Sequence, residues 1–164
     1  MSKQLRPVTV DFLAHAPVRL VFTERLRSAP AAVFRELTDD ASAWPLWFRD
    51  VRSARYTGPP PYGVGTGRAV SLRAGVRFVE SVLLWQEPVR FVYRIDECNA
   101  PGATAWMEEW LLTPTDDGGT ELRFTLALDG TAVLRTAFRL IRPGMRPSIR
   151  RAMTRLDARC DTKD

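Results

Sequence analysis

From Thr131 onward the chain carries a long helical stripe. Leu134, Phe138, Ile141, Met145, Ile149, Met153, Leu156 and Cys160 recur every three or four residues, the spacing that stacks side chains on one face of an α-helix. Such a stripe must be buried against something else, because a helix gains most of its stability by packing an apolar face. Residues 18–129 before it read mainly as short strands, with one helical insertion over 30–47. A curved antiparallel sheet therefore offers the surface the helix needs. A sheet gripping a helix also leaves room for a cavity between the two, and that cavity is where function is expected.

The strands are legible from alternation and from their breaks. Val18, Leu20, Phe22 and Leu26 share one face, with Glu24 interrupting them. Ser28-Ala29-Pro30 ends this strand, and Pro30 suits a first helical turn. A short helix follows, presenting Val33, Phe34 and Leu37, and a second short turn begins near Trp44-Pro45. Further strands are expected over 51–56, 68–73, 76–85, 90–96, 104–113 and 121–129. Asp116-Asp117-Gly118-Gly119 marks the last hairpin. Gly63-Val64-Gly65-Thr66-Gly67 lacks the lysine and the strand-to-helix setting of a phosphate loop and reads as a turn between strands. Pro143, Gly144 and Pro147 lie inside the final helical pattern and predict a kink or a split near its middle.

At 164 residues the chain has the size of one domain with a real core. The division expected is an N-terminal arm over 1–17, packed on the sheet edge, a single domain over 18–160 and a tail over 161–164. The first 17 residues lack the apolar segment of a secretory signal, and no run of apolar residues is long enough to span a bilayer. A cytoplasmic location is the expectation. Cys98 and Cys160 fit no metal-binding spacing and read as two free thiols. His15 is the sole histidine, so neither a metal site nor a Ser–His–acid arrangement is expected, and no cofactor is implied.

The basic charge is local. Residues 131–160 hold eight arginines and one acid, Asp157, a net of +7 against +5 for the whole chain. That helix could meet phosphate or an anionic membrane surface, whereas nucleic acid is not the expected partner. The plainer account is a solvated flank whose arginine stems cover apolar surface. Arginine outnumbers lysine 22 to 2 across the chain, which points to a coding bias rather than to a ligand.

Several phrases carry a resemblance: Ala29-Pro30-Ala31-Ala32-Val33-Phe34 through Leu37-Thr38-Asp39, Trp44-Pro45-Leu46-Trp47-Phe48, Gly63-Val64-Gly65-Thr66, and Leu112-Thr113-Pro114 followed by Asp117-Gly118-Gly119-Thr120. With the order of elements, they make the chain similar to the SRPBCC superfamily, the START-like and birch-pollen-allergen-like group that includes polyketide cyclase/dehydrase and lipid transport proteins. The resemblance spans about residues 18–160. It implies an α+β helix-grip fold, in which a seven-stranded antiparallel sheet wraps around the C-terminal helix, with two short helices between the first and second strands. It also implies an apolar cavity for a lipid, sterol, polyketide, quinone or hormone, with cyclisation or dehydration in a minority of members.

Alternation places three carboxylates on the apolar side of their strands: Glu24 beside Phe22, Glu80 with Phe78, Val82 and Leu84, and Glu108 with Trp106, Trp110 and Leu112. Desolvation would raise the pKa of such a group, fitting it to hold the polar end of a ligand or to act as a general acid–base. Glu108 and Glu80 are the catalytic candidates, with Glu109 as the outward-facing comparison. The alternative for any of them is a pairing with an arginine such as Arg68 or Arg77. Phe91, Tyr93 and Ile95 share a face, and the Tyr93 hydroxyl could meet a ligand. In the resembled fold, Trp44, Trp47 and Phe48 would close one end of the cavity, and Phe138, Ile141 and Met145 would line it from the helix.

Overall fold

A computed structural model of the protein describes residues 1–161. The elements run β1 (Lys3–Gln4), α1 (Phe12–His15), β2 (Val18–Leu26), α2 (Pro30–Thr38), a 3-10 turn (Ala41–Ala43), α3 (Trp44–Trp47), β3 (Val51–Tyr56), β4 (Gly67–Leu72), β5 (Arg77–Gln86), β6 (Arg90–Cys98), β7 (Ala103–Pro114), β8 (Thr120–Gly130) and α4 (Ala132–Cys160). The expected tail over 161–164 lies, past Asp161, outside the described residues. Each strand from β2 to β8 begins and ends within two residues of its expected limits.

Alternation does in the structure what it promises in the sequence. Val18, Leu20, Phe22 and Leu26 of β2 are buried, while Arg19, Thr23 and Arg25 are exposed. Seven strands pair antiparallel in the order β2-β8-β7-β6-β5-β4-β3, so the first and second long strands form the two edges. The sheet curls around α4, giving the helix-grip arrangement. Pro30 occupies the first turn of α2, where a missing N–H costs nothing, and Val33, Phe34 and Leu37 point into the core. Asp40 caps the following turn by accepting from the Ser42 amide at 2.8 Å.

The arm does more than meet an edge. Lys3–Gln4 pairs with the end of β6, and Phe12–His15 lies across the convex face of the sheet. Val8 and Leu13 there cover Val92, Ala105, Met107 and Ala127. These outward positions of three central strands are apolar, so the convex face needs a cover and the arm supplies it.

Two expectations of face and continuity are corrected. A bulge between Val82 and Leu84 sets Leu84 opposite Val92 on the convex side and brings Trp85 opposite Phe91 on the concave side. Leu84 therefore does not share a face with Phe78 and Val82. The final helix is also not split: α4 runs unbroken over 29 residues with Pro143 and Pro147 inside it. Both prolines are exposed, so the carbonyls of Arg139 and Pro143 that lose an amide partner lie on the solvent side.

The two halves of α4 are buried very differently. Ile149, Ala152, Met153, Leu156 and Cys160 are buried. In the first half only Leu134, Phe138 and Met145 pack against the core, whereas Val133, Leu140 and Ile141 are 81%, 75% and 49% exposed. The second half is tied down by Asp157, which accepts from Ser28 Oγ at 2.6 Å, Ser28 N at 2.9 Å and Arg27 N at 3.2 Å. Cys98 and Cys160 are free and buried, and burial pushes the Cys160 thiol up to about 11.

Burial alone would raise the Asp157 carboxyl, but the bonds from Ser28 and Arg27 outweigh it and hold the pKa below the usual carboxylate value. Its contribution to stability is therefore present above the unfolded-state pKa of about 3.9 and is lost as pH falls through the folded one. Asp157→Ala leaves buried Ser28 donors unmet and should cost about 1–3 kcal/mol, read as a lower denaturant midpoint at unchanged slope. An unchanged midpoint would show that the contact does not anchor the helix.

Candidate functional site

The concave side of the sheet carries a charged and hydrogen-bonded centre built from four adjacent strands. Register places Arg68 of β4 opposite Glu80 of β5, and Tyr93 of β6 opposite both Val82 and Glu108 of β7. Arg68 Nε donates to Glu80 Oε2 at 2.7 Å, with both side chains buried. The guanidinium carbon lies 4.2 Å from the Trp44 ring centre and 4.3 Å from that of Tyr93, so two aromatic faces share the cation with the carboxylate. Burial favours a neutral Arg68, but the charge of Glu80, with Tyr93 and the Glu80 hydrogen bond, outweighs it and keeps the pKa above the usual arginine value. Burial likewise pushes the Glu80 carboxyl up, against the pull of Arg68.

A second group of bonds converges on Glu108. Tyr93 Oη donates to its Oε2 at 2.7 Å and Trp106 Nε1 donates to its Oε1 at 3.1 Å, while Trp110 Nε1 donates to Tyr93 Oη at 3.1 Å. No cation forms an ion pair with Glu108 among the described residues. Burial, and then the negative charge of Glu80, push its carboxyl up to about 7, while the Tyr93 bond, Arg68 and the Trp106 bond oppose them. Burial and the nearby Glu108 also push the Tyr93 hydroxyl well up, so it remains a donor.

Around this centre stand the tryptophans. Trp44, Trp47 and Trp110 are buried and pack ring to ring, with centroids 4.8 to 5.9 Å apart. They form a solid wall, with Phe48 packed beside Trp47 at 5.6 Å. Trp106 instead packs 5.1 Å from Phe78 and 5.3 Å from Phe138 in the less buried half of α4. Glu108 is the only one of these acids that combines an interior position with partial exposure and uncharged partners. Met145 is partly buried against the core, but Ile141 turns half outward and away from this group.

The other candidates fall elsewhere. Glu24 sits at the edge strand, 3.7 Å from Arg150 Nε, beside a groove of about 490 Å³ between β2 and α4. Glu109 faces the convex side as expected, yet it is buried rather than open to water, because Arg90 Nε bonds it at 2.6 Å. His15 lies on the exposed side of α1, across the sheet from Glu108. Arg68 was visible in the sequence only as a partner for a glutamate. The usable signal was its place in β4, two residues before Val70 on the same inward face.

The Glu108 carboxyl should titrate near 7, against about 4.3 for an ordinary glutamate. An acid whose folded pKa is raised adds most stability below its unfolded pKa, and that share is lost as pH rises through about 7. Carboxyl-selective infrared or carbon NMR titration should show this transition, absent in Glu108→Gln. Tyr93→Phe removes a bond that favours the charged form and should move the titration higher. A Glu108 transition at the ordinary glutamate value would refute the electrostatic description of the site.

Comparison with known proteins agrees with this architecture. Uncharacterized proteins of Mycobacterium tuberculosis and Mycobacterium bovis are 29% identical over 156 residues, covering 95% of this chain and 92% of theirs. A START superfamily protein from Mycobacterium smegmatis has the same fold at 11% identity and TM-score 0.68, covering 89% of this chain and 99% of that one. A protein from Thermus thermophilus does so at 17% identity and TM-score 0.67, covering 88% and 98%. Residues 18–161 match the family of polyketide cyclase / dehydrase and lipid transport proteins, and the chain belongs to that family.

Proposed function

We propose that the protein is a carrier or sensor that binds one small hydrophobic molecule, such as a lipid, polyketide or isoprenoid, between the sheet and the first half of α4. Family membership and the START-like fold support a hydrophobic-ligand-binding module. The observation that carries the finer reading is Glu108: a partly exposed carboxyl inside an aromatic interior, held by Tyr93 and Trp106 and beneath the less buried half of the helix. An apolar body would lie against Phe78, Trp106, Phe138 and Met145, and Glu108 would meet its polar end. With a pKa of about 7, Glu108 can donate to a carbonyl when protonated or accept from a hydroxyl when ionised. Trp44, Trp47 and Trp110 back the site as a rigid wall.

The same pKa favours one rival, a polyketide cyclase or dehydratase in which Glu108 is the general acid–base. No helix among the described residues is long and apolar enough to cross a membrane.

A panel of fatty alcohols, sterols, quinones and aromatic polyketides should contain a compound that raises the melting temperature and quenches tryptophan fluorescence. Ligand at about 100 times its Kd would add about 2.7 kcal/mol. Trp106→Ala and Phe138→Ala should each weaken that compound about tenfold or more, given the large apolar area each ring buries. For a carrier, Glu108→Gln alters affinity and nothing else; for an enzyme it abolishes turnover and leaves affinity within a few-fold. A panel with neither thermal shift nor quenching would overturn the binding reading.

A further inference from the structure

The groove between β2 and α4 lies outside the Glu108 network and has its own chemistry. Val21, Phe22, Thr23 and Glu24 line one side, and Arg142, Pro143, Arg146 and Arg150 line the other. The arginines are four residues apart, so successive guanidinium stems are about 6 Å apart along one flank of the helix. Arg150 faces Glu24 at 3.7 Å. The Arg142 and Arg146 side chains have no ion pair or hydrogen bond among the described residues. The other arginines in the first half of α4 differ: Arg135 lies 3.5 Å from Asp129, and Arg139 donates to the Pro17 carbonyl. Of the four arginines in the first half of α4, the two at the groove are therefore the two without a partner.

Apolar surface adjoins that charge. Phe22 stacks on Phe124 at 6.3 Å, and Phe124 stacks on Trp110 at 4.4 Å, so an aromatic file leads from the groove toward Tyr93. Pro143 adds an apolar rim from the helix side. At about 490 Å³ the groove is within the size range of small-molecule sites. Two unpaired guanidinium groups one helical turn apart match an oxyanion with several acceptor oxygens, and Val21, Phe22 and Pro143 in the groove wall match a hydrocarbon.

We infer that this groove binds the anionic head of an amphiphile, a phosphate monoester or similar oxyanion, at Arg142 and Arg146, with the apolar body directed along Phe22. This rests on the hydrophobic-ligand reading above and narrows its ligand class to molecules that carry an anionic end at the groove in addition to the polar group that meets Glu108. Glu24 disfavours the anion and occupies Arg150, which leaves Arg142 and Arg146 as the pair that holds it. The head could belong to a freely dissolved amphiphile or to a lipid of a bilayer, since the recognised chemistry is the same.

The test compares dodecyl phosphate, dodecanol and inorganic phosphate, each below any micelle concentration, by calorimetry with the full chain. Dodecyl phosphate should bind about tenfold or more tighter than dodecanol at low salt, because charge-assisted bonds exceed neutral ones, and the gap should narrow at high salt. The exposed double substitution Arg142→Gln/Arg146→Gln should erase that gap and leave dodecanol unaffected. Glu24→Gln should widen it. Flotation with phosphatidic acid vesicles separates the sources: binding to vesicles but not to dissolved dodecyl phosphate assigns the head to a bilayer, provided the double variant loses it. The inference is overturned if the phosphate gives no gain over dodecanol and no vesicle binding, or if the double variant keeps either. Dodecanol binding without a phosphate gain would overturn only this inference. Failure of every apolar compound, here and in the panel, would overturn the reading on which it rests.

Discussion

A guanidinium cannot shed its proton to escape burial, so Arg68 commits the centre of this protein to a compensating negative charge. Glu80 supplies it at 2.7 Å, and the faces of Trp44 and Tyr93 supply the rest. Two consequences follow. Tyr93 is held against the cation with its hydroxyl directed to Glu108, and the charge on Glu80 makes a second carboxylate nearby costly. Glu108 is thus raised to about 7 by burial and by its neighbour, and it is left with neutral partners only. The chemistry available to a ligand at that point is set first by burial and then by the ion pair next door, whose carboxylate raises the Glu108 pKa while its guanidinium lowers it.

The helix divides the labour along its length. Its second half, sealed by Ile149, Met153 and Leu156 and bonded through Asp157 to Ser28, closes the core like any buried helix. Its first half keeps only Leu134, Phe138 and Met145 against the core and exposes Val133 and Leu140. Apolar surface left exposed at this scale costs stability, and a segment with few buried contacts lies at the less stable end of a fold. The half of α4 that faces Trp106 is the half that a ligand would stabilise.

Much of this was legible in the sequence because the signals are strictly periodic. The period-2 faces of β2, β6, β7 and β8 and the stripe of α4 follow from side-chain geometry alone, and the breaks at Pro30 and at Asp117-Gly118 mark the turns. Glu108 was identified because Trp106 and Trp110 flank it on one face. What the sequence concealed depends on features without a local signature. The bulge at Leu83 exchanges Leu84 for Trp85 on the concave side, and a bulge has no fixed motif. Pro143 and Pro147 predict a kink or a split, and the split does not occur: both prolines fall on the open side of the helix. Alternation correctly turned Glu109 outward, but it could not show that Arg90 would bury it. That three of the eight arginines of α4, Arg142, Arg146 and Arg150, line one groove depends on the packing of β2 against the helix, which no spacing reveals.

The central claim is that a hydrophobic molecule binds beside Glu108, between the sheet and the first half of α4. Native mass spectrometry of the protein purified from its own host tests this most directly, followed by denaturing extraction of whatever is bound. The account predicts one discrete apolar adduct per chain, released on unfolding and regained from a lipid extract of the host. A bare chain that takes up nothing from that extract would contradict it.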